Sequence, residues 1–423
     1  MTSGRQTKPK VLYLVYWGAA EPLGQSLVLP AVTKLADLGV DLTLVTFEKP
    51  DDLNRPEAMA SVREALGSSG ITWVPLRYHK RPKVPATVFD FVQGCARSVA
   101  SRLRTRPDII HARTFIGGLI GMALAPVLRA RLVYHNEGFY PDEQVDAGVW
   151  AMNSLPHRVA KWLETKMYSR ADAVISLSDA GKSVIAGLPS LKNKRTPVVV
   201  VPSCVDLDHF RLNKRTRTEG EALRFVYSGS AGGRYDLQKL AHFVAVAAEV
   251  VGPVKLRVLT RSDRALVESM LRAGGLDDAL WSIESVAYSA MPDALCEEDV
   301  GLHFLPMGIS DHGGSPTKIG EYWAAGLPIV VTPNAGDVDK IAHREQVGVI
   351  VEGHNDDAYR RAATELRSLL QESDLAERCR RAAQSHYGLE AACIRQRDLY
   401  RALSSDVSRR AAATAVSEVR NGS

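Results

Sequence analysis

The sequence predicts an α/β chain folded as two Rossmann-like domains facing a central cleft, with a last helix crossing back onto the first domain. Short apolar strand runs alternate with helix-length amphipathic segments, the pattern of a parallel sheet. That alternation occurs twice, on either side of a polar stretch at 206–222. Length agrees, because 423 residues exceed the roughly 250–300 at which a single core stops growing.

In order, residues 1–10 are expected to be disordered and 11–205 to form the first domain. Its strand runs are VLYLVY at 11–16, DLTLVTF at 41–47, ITWVPLR at 71–77, DIIHA at 108–112, RLVYHN at 131–136, DAVISLS at 172–178 and PVVVVPS at 197–203. Consecutive apolar, β-branched positions mark strands buried on both faces. Arg5, Lys8 and Lys10 ahead of Val11–Ala20 mimic a signal peptide, but the Val- and Tyr-rich run followed by a loop suits a buried first strand better. Between strands, Pro156 opens a helix pattern in which Val159, Trp162, Leu163 and Met167 fall at helical spacing, which predicts a core-facing stripe.

The linker follows at 206–222, then a second domain at 223–386 with runs LRFVYSG at 223–229, VKLRVLT at 254–260, DVGLHFLP at 299–306, LPIVVT at 327–332 and VGVIVE at 347–352. Beyond Asn355 the pattern is helical, ending in a crossing helix at 387–403 and a tail at 404–423 expected to be disordered.

Composition narrows the function class. Apolar content of 45% with 24% charged residues is that of a folded globular protein. A formal charge of +5 can assist contact with phosphates or an anionic membrane and is too small to imply nucleic acid. Cys95, Cys204, Cys296, Cys379 and Cys393 form no C-x-x-C pair, so reduced thiols in a cytoplasmic chain are expected, without a zinc site or disulfide framework. The apolar stretch Ile116–Leu128 has 13 residues, short of the roughly 20 that span a bilayer.

In open α/β sheets ligands bind beyond the carboxyl ends of strands, where glycine turns and helix N-termini approach phosphate. After the first strand, Gly18 and Gly24 do not fit the G-x-G-x-x-G fingerprint, which argues against NAD. Gly24 either turns the chain beneath a diphosphate or serves the turn alone. The most informative segment is SPTKIGEYWAAGLPIVV at 315–331. Pro316 suits a helix start and Gly326 its end. Ser315 and Thr317 offer hydroxyls, Lys318 a cation, and Glu321 lies one turn beyond Thr317, a set that diphosphate and ribose hydroxyls require.

This segment resembles the retaining GT-B enzymes of glycosyltransferase family 4, which carry a glutamate ahead of A-x-G-x-P and a strand; the resemblance spans about residues 10–403. It implies that Glu321 binds the donor ribose while Ser315, Thr317 and Lys318 line the diphosphate and sugar. Two departures stand out. Gly313 occupies the place of a second family glutamate, and Ser230, in SGSAGGRYD at 228–236, that of a diphosphate-binding arginine. Arg234, Lys318 and Arg261 are candidates to restore the charge, although Arg261 reads equally as a solvated residue. In the first half, DIIHARTFIGG matches the family's strand-end histidine segment, making His111 and Arg113 catalytic candidates, with a satisfied structural histidine as the alternative. The loop 136–150 supplies Glu137 as a candidate base or acceptor contact and Asp142 as an acceptor contact, or both as solvated carboxylates.

His79 and Lys80, after the third strand, are acceptor candidates. They open a segment, 77–106, in which Arg77, Arg81, Lys83, Arg97, Arg102, Arg104 and Arg106 stand against a single acid, Asp90, with Phe89, Phe91 and Val92 interleaved. It reads as a solvated face or as a contact with an anionic membrane or phosphate-bearing acceptor. Two D-x-D triplets, Asp206–Asp208 and Asp337–Asp339, read as turn and capping residues, so no metal site is expected.

The resemblance thus implies a retaining transferase using a nucleotide-diphosphate sugar, with UDP the expected nucleotide, as co-substrate and no other cofactor. The acceptor is a saccharide, a lipid-linked sugar or a natural product. A nucleotide-sugar epimerase on the same fold and a non-catalytic nucleotide- or glycan-binding protein are the alternatives.

Overall fold

The computed structural model describes residues 8–101, 106–192, 196–212, 218, 220–233, 235–305, 308 and 310–421. Seven strands build the first sheet: β1 (Lys10–Val15), β2 (Asp41–Glu48), β3 (Thr72–Arg77), β4 (Ile109–Arg113), β5 (Arg131–His135), β6 (Ala173–Ser176) and β7 (Val198–Val200). All pair in parallel, in the order β3-β2-β1-β4-β5-β6-β7. The run after Lys10 is therefore a central strand, buried between β2 and β4.

Helices α1 (Leu29–Asp37) and α2 (Pro56–Ser68) cover one face of this sheet. The other is covered by α3 (Lys83–Ser101), α4 (Phe115–Leu128), α5 (Tyr140–Asp146), α6 (Leu155–Arg170) and α7 (Asp179–Ala186). Alternate strand residues feed the two cores: Val11, Tyr13 and Val15 point to one, Leu12 and Leu14 to the other.

The second sheet joins β8 (Leu223–Ser228), β9 (Val254–Leu259), β10 (Trp281–Glu284), β11 (Val300–His303), β12 (Ile329–Val331) and β13 (Gly348–Ile350), again parallel, in the order β10-β9-β8-β11-β12-β13. Its helices are α8 (Leu237–Val251), α9 (Arg264–Ala273), α10 (Thr317–Ala324), α11 (Val338–Glu345), α12 (Asp356–Leu369) and α13 (Leu375–Ala382). Helix α14 (Leu389–Asn421) crosses back, placing Ala392, Cys393 and Tyr400 in the core beside α1.

The structure departs from the sequence reading in three places. Strand β10 was not anticipated; it is a four-residue edge strand without a continuous apolar run. Where disorder is expected after residue 403, α14 continues to Asn421, through an Ala- and Arg-rich segment of high helix propensity. In α6 the buried stripe is His157, Ala160, Glu164, Met167 and Tyr168, while Val159 and Trp162 of the expected core face are turned to solvent. Residues 1–7 and most of the polar part of the linker, 213–217 and 219, lie outside the described residues, as do Arg102, Arg104 and Arg234.

Candidate active site

Strand order in the second sheet reverses between β8 and β11, and this switch point opens a crevice beyond the strand ends. A cavity of about 390 Å³ lies there, within the range of roughly 300–1,000 Å³ typical of small-molecule sites. The turn after β8 contributes Ser228, Gly229 and Ser230, and α10 contributes Thr317, Lys318 and Glu321. The first domain closes it with Pro22, Leu23, Gln25 and Ser26. That loop is held by the buried Glu48, whose carboxylate accepts from the N–H groups of Ala19 (2.8 Å) and Ala20 (3.3 Å).

Lys318 is the central feature. Its Nζ sits between the ring centroids of Tyr227 (4.1 Å) and Tyr235 (4.3 Å), is buried, and has no hydrogen-bond partner among the described residues. It reaches under Gly229, where a Cβ would stand 2.6 Å from Nζ and φ is +142°, so any side chain there both strains the backbone and evicts the amine. Burial pushes the Lys318 pKa down to about 7, with Glu321 opposing the shift. Burial likewise pushes Glu321 up to about 7, opposed by Lys318. The tyrosine faces favour the cation. A cation and a carboxylate one helical turn apart thus wait in a low-dielectric crevice, where their interaction with a ligand is far stronger than in water. The arrangement suits an anion against Lys318 and hydroxyl groups against Glu321.

The other donor candidates divide. Thr317, Ser230 and the exposed Arg261 line the cavity. The Ser230 carbonyl accepts from the Tyr227 hydroxyl at 2.6 Å, so the turn that lacks the family's arginine is fixed to the ring against which Lys318 packs. Ser315 is not in the lining: its Oγ accepts from the Ser203 N–H (3.1 Å) in the interdomain seam. Gly24 is not part of the lining either. A Cβ there would lie 2.0 Å from the Gly18 carbonyl oxygen, so glycine is required for the loop to fold on itself and present its neighbours Leu23 and Gln25. Arg234 lies outside the described residues.

The catalytic candidates of the first domain are engaged with one another. His111, fully buried, stacks on Tyr13 at 4.2 Å, and the hydroxyl of Tyr400 on α14 donates to its Nδ1 at 2.6 Å. Its Nε2 is 3.1 Å from Nδ1 of His135, whose own Nε2 is 3.5 Å from Glu137. Burial, and then Arg113, lower both histidine pKa values well below the usual range, so both rings are neutral; the hydrogen bonds run from Tyr400 through His111 to His135, whose Nε2 has no hydrogen-bond partner among the described residues. Arg113 is ion-paired to Glu137 and buried. His111 and Arg113 therefore do not reach the cavity; they tie the crossing helix to the loop bearing Glu137.

On the acceptor side, His79 Nδ1 lies 2.6 Å from the fully buried Asp90, which also accepts from the His79 N–H (3.0 Å) and the Tyr16 hydroxyl (2.8 Å). This orients the half-exposed imidazole with Nε2 away from the carboxylate, a positioned acid–base group. Lys80 beside it is exposed. Asp142 is bound to His157 (3.1 Å) and Lys161 (2.9 Å), which makes it a brace between α5 and α6 rather than a contact for an acceptor.

Both D-x-D triplets are occupied with backbone. Asp206 accepts from the Asp208 N–H, and Asp337 accepts from Asp179 and Ala180 at the start of α7, pinning the domains together. Gly313, at the position of the absent glutamate, faces Phe139: a Cβ there would stand 3.0 Å from that ring. The space is taken by the first domain.

Sequence reasoning missed Tyr227 and Tyr235, which carry no motif, and of the 22–26 segment it named Gly24 alone. Asp90 had a signal, as the single acid of a basic segment.

With this geometry in view, residues 27–209 match the family model of Glycosyltransferase Family 4. No curated protein matches the sequence. Among solved structures, sucrose-phosphate synthase from Thermosynechococcus elongatus aligns with a TM-score of 0.69 at 15% identity, over 94% of this chain and 100% of that one. HepE from Anabaena, in complex with UDP and glucose, aligns at 0.62 and 12%, over 92% and 99%. A putative UDP-N-acetylglucosamine 2-epimerase from Listeria monocytogenes aligns at 0.58 and 14%, over 92% and 94%. Identities this low speak for the fold: the chain has the GT-B fold, and the resemblance read from residues 315–331 holds in the fold of the whole chain and in the family match of its first half. Among the described residues no helix is long and apolar enough to cross a membrane.

Proposed function

We propose that the chain transfers a sugar from a UDP-sugar to a saccharide, lipid-linked or natural-product acceptor, with retention of anomeric configuration and without a metal. The observation that carries this reading is the buried ammonium of Lys318, without a hydrogen-bond partner among the described residues, beneath Gly229 and one turn from Glu321 at the switch point of the second sheet. A diphosphate satisfies the ammonium, and ribose hydroxyls satisfy the carboxylate. The neighbour solved with UDP and glucose shares the fold, which supports the choice of nucleotide.

In the reaction the bond between the anomeric carbon and a diphosphate oxygen breaks and its electron pair leaves with the diphosphate. Lys318, Arg261 and the N-terminus of α10 receive that charge. The acceptor oxygen bonds to the anomeric carbon on the same face, and its proton passes to the departing phosphate oxygen. His79, held by Asp90, orients the acceptor hydroxyl. With the sugar transferred on one face, the two-carboxylate arrangement of a double-displacement glycosidase is not required.

The test is release of free nucleotide from a panel of nucleotide sugars, with and without EDTA and acceptor, for the wild type, Lys318→Ala and Glu321→Ala. Acceptor-dependent release from one UDP-sugar, insensitive to EDTA and lost in both variants, is expected. Equal activity in the variants would sink the site. Acceptor-free conversion of the sugar would assign an epimerase instead, and tight binding without turnover a binding protein.

A further inference from the structure

Helix α3 is built inside out. Its buried stripe is Ala86, Asp90, Gly94 and Ser98, spaced four apart, while Val84, Val88, Phe89, Val92 and Val99 face solvent. The stripe has a physical reason. Gly94 lets α3 approach α4 so closely that a Cβ would stand 2.9 Å from Ile120, and Asp90 is turned inward to hold His79 and Tyr16. Of the apolar residues, Phe89 sets its ring edge-on to His79 at 5.0 Å and is still 55% exposed.

The same inversion recurs on α6, where Leu155 is 74% and Trp162 59% exposed, with Val159 between them; Val127 of α4, the helix between the two, is exposed as well. Of the large apolar residues exposed among the described residues, only Leu266 lies in the second domain.

Charge on this three-helix layer has one sign. Its only acids, Asp90 and Glu164, are buried, and of the three acids of the adjoining α5, Asp142 is bonded to Lys161, Asp146 to Ser310, and Glu143 lies half-buried against Gly138. Facing out are Arg81, Lys83, Arg97, Arg129, Arg158, Lys166 and Arg170. The helices on the opposite face of the sheet show no such bias, since α2 exposes Glu57 and Glu64 beside Arg63.

We infer that the α3–α4–α6 layer docks on an anionic phospholipid bilayer. Exposed valines with a tryptophan and a phenylalanine, rimmed by cations, are the composition of a surface that lies in the lipid headgroup region, and exposed apolar side chains gathered on one helical layer mark an interaction site. The N-termini of these helices lie at the end of the sheet where the strands finish, so the layer reaches the cleft mouth at His79 and would deliver a lipid-borne acceptor there. The docking itself stands apart from the donor reading; only the lipid-borne acceptor rests on it.

The test is flotation of the full chain with vesicles of phosphatidylcholine alone or mixed with phosphatidylglycerol. Binding to the mixed vesicles that weakens with salt is expected. Val88→Glu with Val92→Glu is expected to cut partition about tenfold or more. Arg97→Gln and Lys166→Gln are each expected to cut it roughly fivefold. The blue shift of tryptophan emission on vesicle addition is expected to vanish in Trp162→Phe. A UDP-induced thermal shift equal to that of the wild type establishes that each variant is folded; should the wild type show no such shift, circular dichroism serves, and the donor reading fails separately. No flotation with anionic vesicles, or flotation indifferent to the two glutamates, would overturn the inference. So would a vesicle-free dimer that the same glutamates dissolve, which would assign the layer to a second copy of the chain.

Discussion

The two walls of the cleft treat their charges in opposite ways. On the second domain, Lys318 is buried between two aromatic rings with no hydrogen-bond partner among the described residues, and Glu321 is buried one turn away. On the first domain the groups singled out for chemistry are engaged with one another: Tyr400 with His111, Arg113 with Glu137, His79 with Asp90, Asp142 with Lys161. An unsatisfied buried charge costs stability, so it persists where a ligand will satisfy it. A satisfied network costs little and holds elements in place. The first domain therefore organises the cleft, and the second holds the group that waits for the donor.

The largest effect follows on Lys318. Lys318→Ala is expected to lower kcat/KM for donor consumption by about 10²–10³-fold, the scale for losing a group that receives transition-state charge. Nucleotide release checks it, and a loss below tenfold would place the charge elsewhere.

Next comes the self-satisfied network. Tyr400→Phe leaves His111 Nδ1 without its donor inside the core, and a loss of roughly 1–3 kcal/mol in unfolding free energy is expected with the KM for donor unchanged. Denaturant unfolding beside donor kinetics checks this. A donor KM that rises with unaltered stability would make His111 part of the donor site.

The Asp90–His79 pair belongs between the two kinds. Asp90→Asn is expected to lower kcat/KM for acceptor by about tenfold while donor binding persists. An unchanged kcat/KM for acceptor would make Asp90 a packing residue.

The smallest effect concerns protons. With the Lys318 pKa lowered to about 7 in the empty protein, the amine is charged below that pH and neutral above it. A diphosphate favours the charged form, so binding at pH 8 must take up a proton and affinity falls as pH rises, whereas well below pH 7 Lys318 contributes no uptake. Calorimetry in buffers of different ionisation enthalpy is expected to show uptake at pH 8 for the wild type and none from this group in Lys318→Met.

Much of this was legible in the sequence. Twelve strand runs name twelve of the strands, because parallel strands buried on both faces are written as continuous apolar stretches. Edge strand β10, half-exposed and four residues long, has no such signature. Thr317, Lys318 and Glu321, which line the cavity, were named together because one helix start carries all three at fixed spacing. His111 and Arg113 stand outside the cavity for a long-range reason: Tyr400, the partner of His111, lies 289 residues along the chain, and although the helix is expected to cross back, no local pattern says which of its residues meets β4. Val159 and Trp162 were assigned to the core from their helical spacing, which shows that an apolar stripe exists without showing which way it faces.

The most direct test of the contrast between the walls is thermal unfolding of the wild type and Lys318→Met with and without UDP. Lys318→Met is expected to melt higher than the wild type in the absence of nucleotide, because a buried ammonium without a hydrogen-bond partner among the described residues is gone, and UDP is expected no longer to stabilise it. A variant that melts lower and keeps the full response to UDP would contradict this expectation.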